Sequence, residues 1–162
     1  LVGWVAGRIS NRGVDVTVVA NETNIAEISA EIPGSSVVEN VEPQNGRTGS
    51  LKVGISSIDF SKGQNYRLLV VPVDRPGFSD STLQRLIDSK ESCCPMRDGR
   101  GGHPLLLSPV DVGRVRGGPE DSPLREIVDP VRFEVIDQNL HLNIDTPSDI
   151  EDLKSKIDSI IE

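Results

Sequence analysis

Tyr66-Arg67-Leu68-Leu69-Val70-Val71-Pro72-Val73-Asp74-Arg75-Pro76 is the stretch whose reading decides the fold. It is an almost continuously apolar run that ends in an aspartate and is stopped by a proline. A run of this kind reads as a strand covered on both faces, as in parallel sheets. Being the most apolar run, it is expected to be central and buried. In open α/β sheets ligands bind outside the carboxyl ends of the strands, which is where Asp74 falls. An acid there can hold Mg²⁺, which needs few protein carboxylates when substrate phosphates complete its shell. Asp74 could equally cap the next turn.

Working outward, strand-like and helix-like segments alternate. Val14 to Ala20 reads as a second buried strand, with shorter candidates at Ser36–Val38, Leu105–Leu107 and Arg132–Ile136. Between them, Ile25, Ile28 and Ile32 share a helical face, as do Leu51, Ile55 and Ile58. Ser79-Asp80-Ser81 supplies cap candidates before Leu83, Leu86 and Ile87. Thr146-Pro147-Ser148-Asp149 has a cap residue, a proline at the first helical position and an acid in the first turn. It precedes an apolar stripe of Ile150, Leu153, Ile157, Ile160 and Ile161. The alternation predicts an α/β fold, an open sandwich with a mostly parallel sheet, in one domain over residues 1–162. Arg97–Gly102 and Arg114–Ser122 are rich in Gly and charge and read as loops.

Composition narrows the function. Seventeen Lys and Arg against 25 Asp and Glu leave a net charge of −8, which disfavours general nucleic-acid binding. No apolar run approaches the ~18 residues of a membrane span. The cysteines are the adjacent Cys93-Cys94, which argues against a disulfide framework and fits a reducing cytoplasm. Two histidines and one adjacent cysteine pair lack zinc-site spacing.

Three further segments carry candidate chemistry. Asn45-Gly46-Arg47-Thr48-Gly49-Ser50 precedes a helix and can offer amides and hydroxyls to an anion or a base edge, or be an ordinary capped loop. It is not a P-loop. Gly99-Arg100-Gly101-Gly102-His103-Pro104 lets the backbone approach a ligand beside a histidine, or is a hairpin with a surface histidine. In Asn143-Ile144-Asp145-Thr146, capping by Thr146 would leave Asp145 available to a metal or ligand.

Five segments in this order resemble the MobA-like nucleotidyltransferases of molybdenum-cofactor biosynthesis, and within them the molybdenum cofactor cytidylyltransferases. Thr48–Ile55 is similar to the family's Ser-Ser-Leu-x-x-Gly stretch, Pro72–Pro76 to its Pro-x-Asp-x-Pro, and Gly99–Pro104 to its Gly-x-x-Gly-His-Pro. Asp121–Val128 follows, and Ile144–Ile150 is similar to its Asp-Thr-Pro-x-Asp-Leu. The resemblance implies a Rossmann-like three-layer sandwich and Mg²⁺-dependent transfer of a nucleotidyl group from an NTP, CTP favoured and GTP possible, to a pterin-type cofactor phosphate, with release of pyrophosphate. It implies Asp74 as the metal-binding acid and Asp145 as a second metal candidate. Thr48, Gly49 and Ser50 fall beside the nucleotide, with Gly102 and His103 on the acceptor side. A sugar-phosphate nucleotidyltransferase, or a non-catalytic binding module, would share these features.

One departure stands out. The family opens with a strand and the loop Leu-Ala-Ala-Gly-x-Ser-x-Arg-Met-Gly, then a lysine. Ala6–Gly13 matches it poorly, lacks the methionine and is followed by no lysine before Lys52. Leu1–Arg12 is instead expected to be the helix after that loop, with Gly13 at its C-cap. The first strand and triphosphate loop are then expected to be missing here, either because the chain is a piece of a longer protein or because catalysis has been lost.

Overall fold

The computed structural model describes residues 1–161. In chain order the elements are α1 (Val2–Ser10), β1 (Thr17–Ala20), α2 (Ile25–Glu31), β2 (Ser36–Glu39), α3 (Gly46–Lys62), β3 (Leu68–Val70) and α4 (Asp80–Asp88). They continue with β4 (Cys93–Arg97), β5 (Arg100–Gly101), β6 (Leu105–Leu107), α5 (Pro109–Gly117), α6 (Leu124–Ile127), β7 (Val131–Glu134) and α7 (Pro147–Ile161). Two compact units result, one of residues 1–66 and 110–128, the other of 67–109 and 129–161.

In the first unit β1 and β2 pair in parallel, Thr17 opposite Ser36 and Ala20 opposite Glu39. Within the stretch Leu1–Arg12 expected to be a helix, Val2–Ser10 is helical; its C-cap is Asn11 rather than Gly13, which follows in the turn at φ +72°. Helix α3 lies on β1, where Gly54 comes so close that a Cβ would stand 3.1 Å from Val19. Its far end is held by Asp59. That carboxylate accepts the Arg116 Nε–H at 2.6 Å and the Tyr66 hydroxyl at 2.8 Å.

The second unit holds a mixed sheet in the order β3-β6-β4-β5, with β7 paired to β4. The β4–β7 pair is parallel, while β6 runs antiparallel to both neighbours. One buried cluster of this unit forms around Leu86, Cys93 and Leu106. Leu105–Leu107 is fully buried, whereas Leu68–Val70 is half-buried and, among the described residues, pairs with β6 alone. The longest apolar run is therefore not the central strand. Pro72 has no N–H to extend its ladder, and at the other end the Tyr66 ring turns to Asp59.

The strand with most neighbours is β4, which the sequence reading passes over. The Arg97–Gly102 loop is a hairpin, turned by Asp98 at φ +53° and Gly99 at φ +74°, the Asp-Gly pattern of a type I′ turn. The second expected loop is helical over Arg114–Gly117, because α5 buries Val112 and Val115 completely and anchors Arg116 on Asp59. No described helix is long and apolar enough to cross a membrane. Both cysteines are free thiols.

Candidate active site

In the first unit the candidate site is the start of α3. The chain enters it through a short 3₁₀ turn, Pro43–Asn45, and Gly46 at φ +74°. Thr48 is buried, and its hydroxyl donates to the Ser122 carbonyl at 2.7 Å. Gly49 is held against the preceding turn, where a Cβ would stand 2.6 Å from that of Asn45. The Ser50 hydroxyl donates to the Gly46 carbonyl at 3.1 Å and accepts the Asn40 amide at 2.9 Å. Asn40 is itself fixed at the carboxyl end of β2: its N–H donates to the Ala20 carbonyl at 2.7 Å and its side-chain oxygen accepts the Glu42 N–H at 3.0 Å.

Two more side chains tie the loop after α5 to this helix. Lys52 donates to the Gly118 carbonyl at 2.6 Å, and the Asn45 amide to Glu120 at 2.9 Å. Beside them lies a cavity of about 540 Å³, lined among others by Asn40, Glu42, Asn45, Gly49, Lys52 and Glu120. Its polar lining combines amide donors and acceptors, an ammonium and two carboxylates. Asn40, Lys52 and Glu120 are absent from the residues picked by sequence. Asn40 was legible as a polar residue directly after a strand, but Lys52 and Glu120 meet only through the fold.

In the second unit the predicted residues gather on the loop between β7 and α7. The Asp74 carbonyl accepts the Ile144 N–H at 2.9 Å, so Asp74 and Asp145 stand on hydrogen-bonded segments. The same loop fixes the residues after Asp74. Asp137 accepts the Ser79 N–H at 2.8 Å, and a Cβ on Gly77 would stand 1.8 Å from the Asn139 carbonyl oxygen. Gly102 packs on buried Leu140 and donates its N–H to the Pro95 carbonyl at 2.8 Å. His103, half-buried, follows it directly. Asp74, Gly102 and Asp145 are thus each attached to one segment, residues 137–145.

Asp145 is exposed, and its carboxylate accepts the Asn143 amide. Its N–H goes to Asp149 at 3.0 Å, which also accepts the Thr146 N–H at 2.7 Å and the Thr146 hydroxyl at 2.9 Å. These donations into Asp149 at the start of α7 hold its carboxyl below the usual range, the Thr146 N–H being the largest cause. The expected Thr146 cap takes another form: its hydroxyl donates to Asp149, and Asp149 rather than the Asp145 side chain gathers the N–H groups at this turn. No group of three or more His, Cys, Asp and Glu able to hold a metal forms among the described residues.

The family model for the MobA-like NTP transferase domain matches residues 1–135. No curated protein matches the sequence. Among solved structures the chain is similar to 4-diphosphocytidyl-2C-methyl-D-erythritol synthase, with a TM-score of 0.73 and 16% identity, covering 96% of this chain and 89% of that one. It is similar also to Rv0371c of Mycobacterium tuberculosis H37Rv in its complex with manganese, with a TM-score of 0.66 and 18% identity, covering 94% and 84%. A second structure of Rv0371c gives 0.64 and 20%, covering 95% and 84%. At these identities the likeness establishes the α/β fold of this nucleotidyltransferase type.

Proposed function

Because the chain belongs to the MobA-like NTP transferase domain family, we propose that it takes part in moving a nucleotidyl group from CTP to the phosphate of a molybdopterin-type cofactor. The observation that carries this reading is the attachment of Asp74, Gly102 and Asp145 to one loop, in a chain whose α3 start carries the Thr48-Gly49-Ser50 stretch.

The cavity beside α3 fits a base and ribose better than a triphosphate, since Glu42 and Glu120 in its lining repel phosphate and accept from amino or hydroxyl groups. A carboxylate accepting from the cytosine amino group, with Asn40 or Asn45 on the acceptor edge, is a sound pairing for CTP. GTP is the alternative, since guanine also offers N–H donors.

In this reading Asp74 and Asp145, whose main-chain segments are hydrogen-bonded, offer carboxylate oxygens, and Mg²⁺ needs only one or two carboxylates beside substrate phosphates. The two residues therefore fit that ion, and the manganese complex of a protein of the same fold supports a divalent metal. Bound there, Mg²⁺ would neutralise phosphate charge and favour departure of pyrophosphate. In the transfer an acceptor phosphate oxygen forms the bond to the α-phosphorus, and the α-phosphorus bond to the bridging oxygen breaks. The acceptor phosphate is ionised at neutral pH, so no protein base is required. In this reading His103, half-buried beside Gly102, donates to the acceptor phosphate.

The likeness to a synthase whose product is a diphosphocytidyl polyol favours one second reading, a sugar- or polyol-phosphate acceptor. A pyrophosphate-release assay with each NTP, run against both acceptor classes, tests both. CTP with the pterin acceptor should turn over fastest. Turnover only with the sugar or polyol phosphate would transfer the reading to the second acceptor. Nucleotide binding without pyrophosphate release from the natural full-length protein would identify a non-catalytic module.

A further inference from the structure

Strand β7 pairs with β4 on one side and, among the described residues, with no strand on the other. Within its parallel ladder to β4, the Val131 N–H donates to the Ser92 carbonyl and the Val135 N–H to the Met96 carbonyl, both at 2.9 Å. Odd-numbered residues therefore turn their main-chain groups towards β4. Arg132 and Glu134 turn theirs the other way, where no strand pairs with β7 among the described residues. The edge is solvent-exposed: Val131, Arg132 and Glu134 are exposed, and Ile136 is 93% exposed.

We propose that this edge joins a second copy of the chain, antiparallel, about a two-fold axis through Phe133. Three features select that register. First, antiparallel strands exchange both main-chain hydrogen bonds only between residues whose groups face each other, and here those are Arg132 and the partner's Glu134, and the reverse. Second, the same register sets each guanidinium opposite a carboxylate. A shift centred on Arg132 or on Glu134 sets like charges opposite instead, which is destabilising. Third, Phe133 meets its own copy and Val131 meets Val135, so the other face of the ladder is apolar. Arg85 already lies 4.1 Å over the Phe133 ring and would cap that pair. Pro130, with no N–H, ends the ladder opposite Ile136. So short a ladder makes a reversible dimer rather than an obligate one.

Sedimentation equilibrium across about two decades of concentration tests this, because dimer formation follows mass action. The wild-type chain should pass from monomer to dimer. R132E and E134R should each raise the dimer dissociation constant by about tenfold or more, since each sets like charges opposite at both ends of the ladder. The double variant R132E/E134R should return to within about threefold of wild type, because the pairs are restored with reversed sense. Amide hydrogen exchange on the wild-type chain gives a variant-free check: the Arg132 and Glu134 amides should gain protection as concentration rises. A wild-type chain monomeric at every concentration would mean the two charges guard the edge instead. That result, single variants without effect, or exchange independent of concentration would each overturn the proposal.

Discussion

The main-chain N–H of Ile144 donates to the main-chain carbonyl of Asp74 at 2.9 Å. This bond joins the end of the apolar run to the loop before the last helix without using the Asp74 side chain. Asp74→Asn should therefore leave the melting temperature nearly unchanged. Under the proposed function it should lower Mg²⁺-dependent pyrophosphate release by about a hundredfold or more, because the charge on the metal-binding acid is lost. Near-normal turnover in the variant would remove Asp74 from the metal site.

Under the proposed function His103 serves the acceptor and not the nucleotide. His103→Ala should raise the KM for the acceptor phosphate by about tenfold, the size of one charge-assisted hydrogen bond, and leave the CTP dissociation constant unchanged. Acceptor kinetics and calorimetric CTP titration measure the two halves. Equal loss in both would place His103 elsewhere in the chemistry.

Tyr66 predicts an alkaline limb. Burial, then its hydrogen bond to Asp59, pushes its hydroxyl up to about 12. An unfolded tyrosine ionises near 10. The folded value lies above the unfolded one, so the stabilisation is intact below about pH 10 and disappears as pH rises towards 12. Tyr66 is the chain's single tyrosine, so phenolate absorbance reads it without overlap. Tyr66→Phe should flatten the fall of stability between those values in urea unfolding.

Two glycines should answer differently to the same change. At Gly77 an added methyl meets the Asn139 carbonyl at 1.8 Å, which is backbone, whereas at Gly102 it meets the Leu140 side chain at 2.8 Å. Gly77→Ala should cost about 3 kcal/mol and Gly102→Ala about 1 kcal/mol, because a side-chain end can move and a main-chain carbonyl held in its loop cannot. Shifts in the urea midpoint give both values, and equal costs would contradict the close approach at Gly77.

The elements that were legible announced themselves locally. Ser79 caps α4 by accepting the Thr82 N–H at 3.1 Å, and Thr146-Pro147 opens α7 as its pattern requires. Strand β4 was not legible because Cys93-Cys94-Pro95-Met96-Arg97 lacks β-branched residues and contains a proline. Pro95 is tolerated since its polar main chain faces away from β7, with its carbonyl accepting Gly102. Helix α5 was hidden by Gly113 and its valines, weak helix formers that packing overrides. In the candidate site, motif residues could be named from spacing, but the Lys52 and Asn45 contacts join positions 66 and 75 residues apart. No local pattern encodes such pairings.

The Thr48 hydroxyl has a single proton, and the Ser122 carbonyl holds it. A nucleotide that needs that proton must take it from the chain, so binding becomes a displacement reaction rather than the filling of a vacancy. Ser122 lies in a stretch anchored by this bond and by those from Lys52 on α3 and Asn45 in the turn before it. Under the proposed function, surrendering one anchor would lower the work of breaking the other two and give the segment a second state whose population rises with ligand concentration. Protease cleavage between Gly117 and Ser122 would then serve as a gauge of nucleotide occupancy, read from the protein alone.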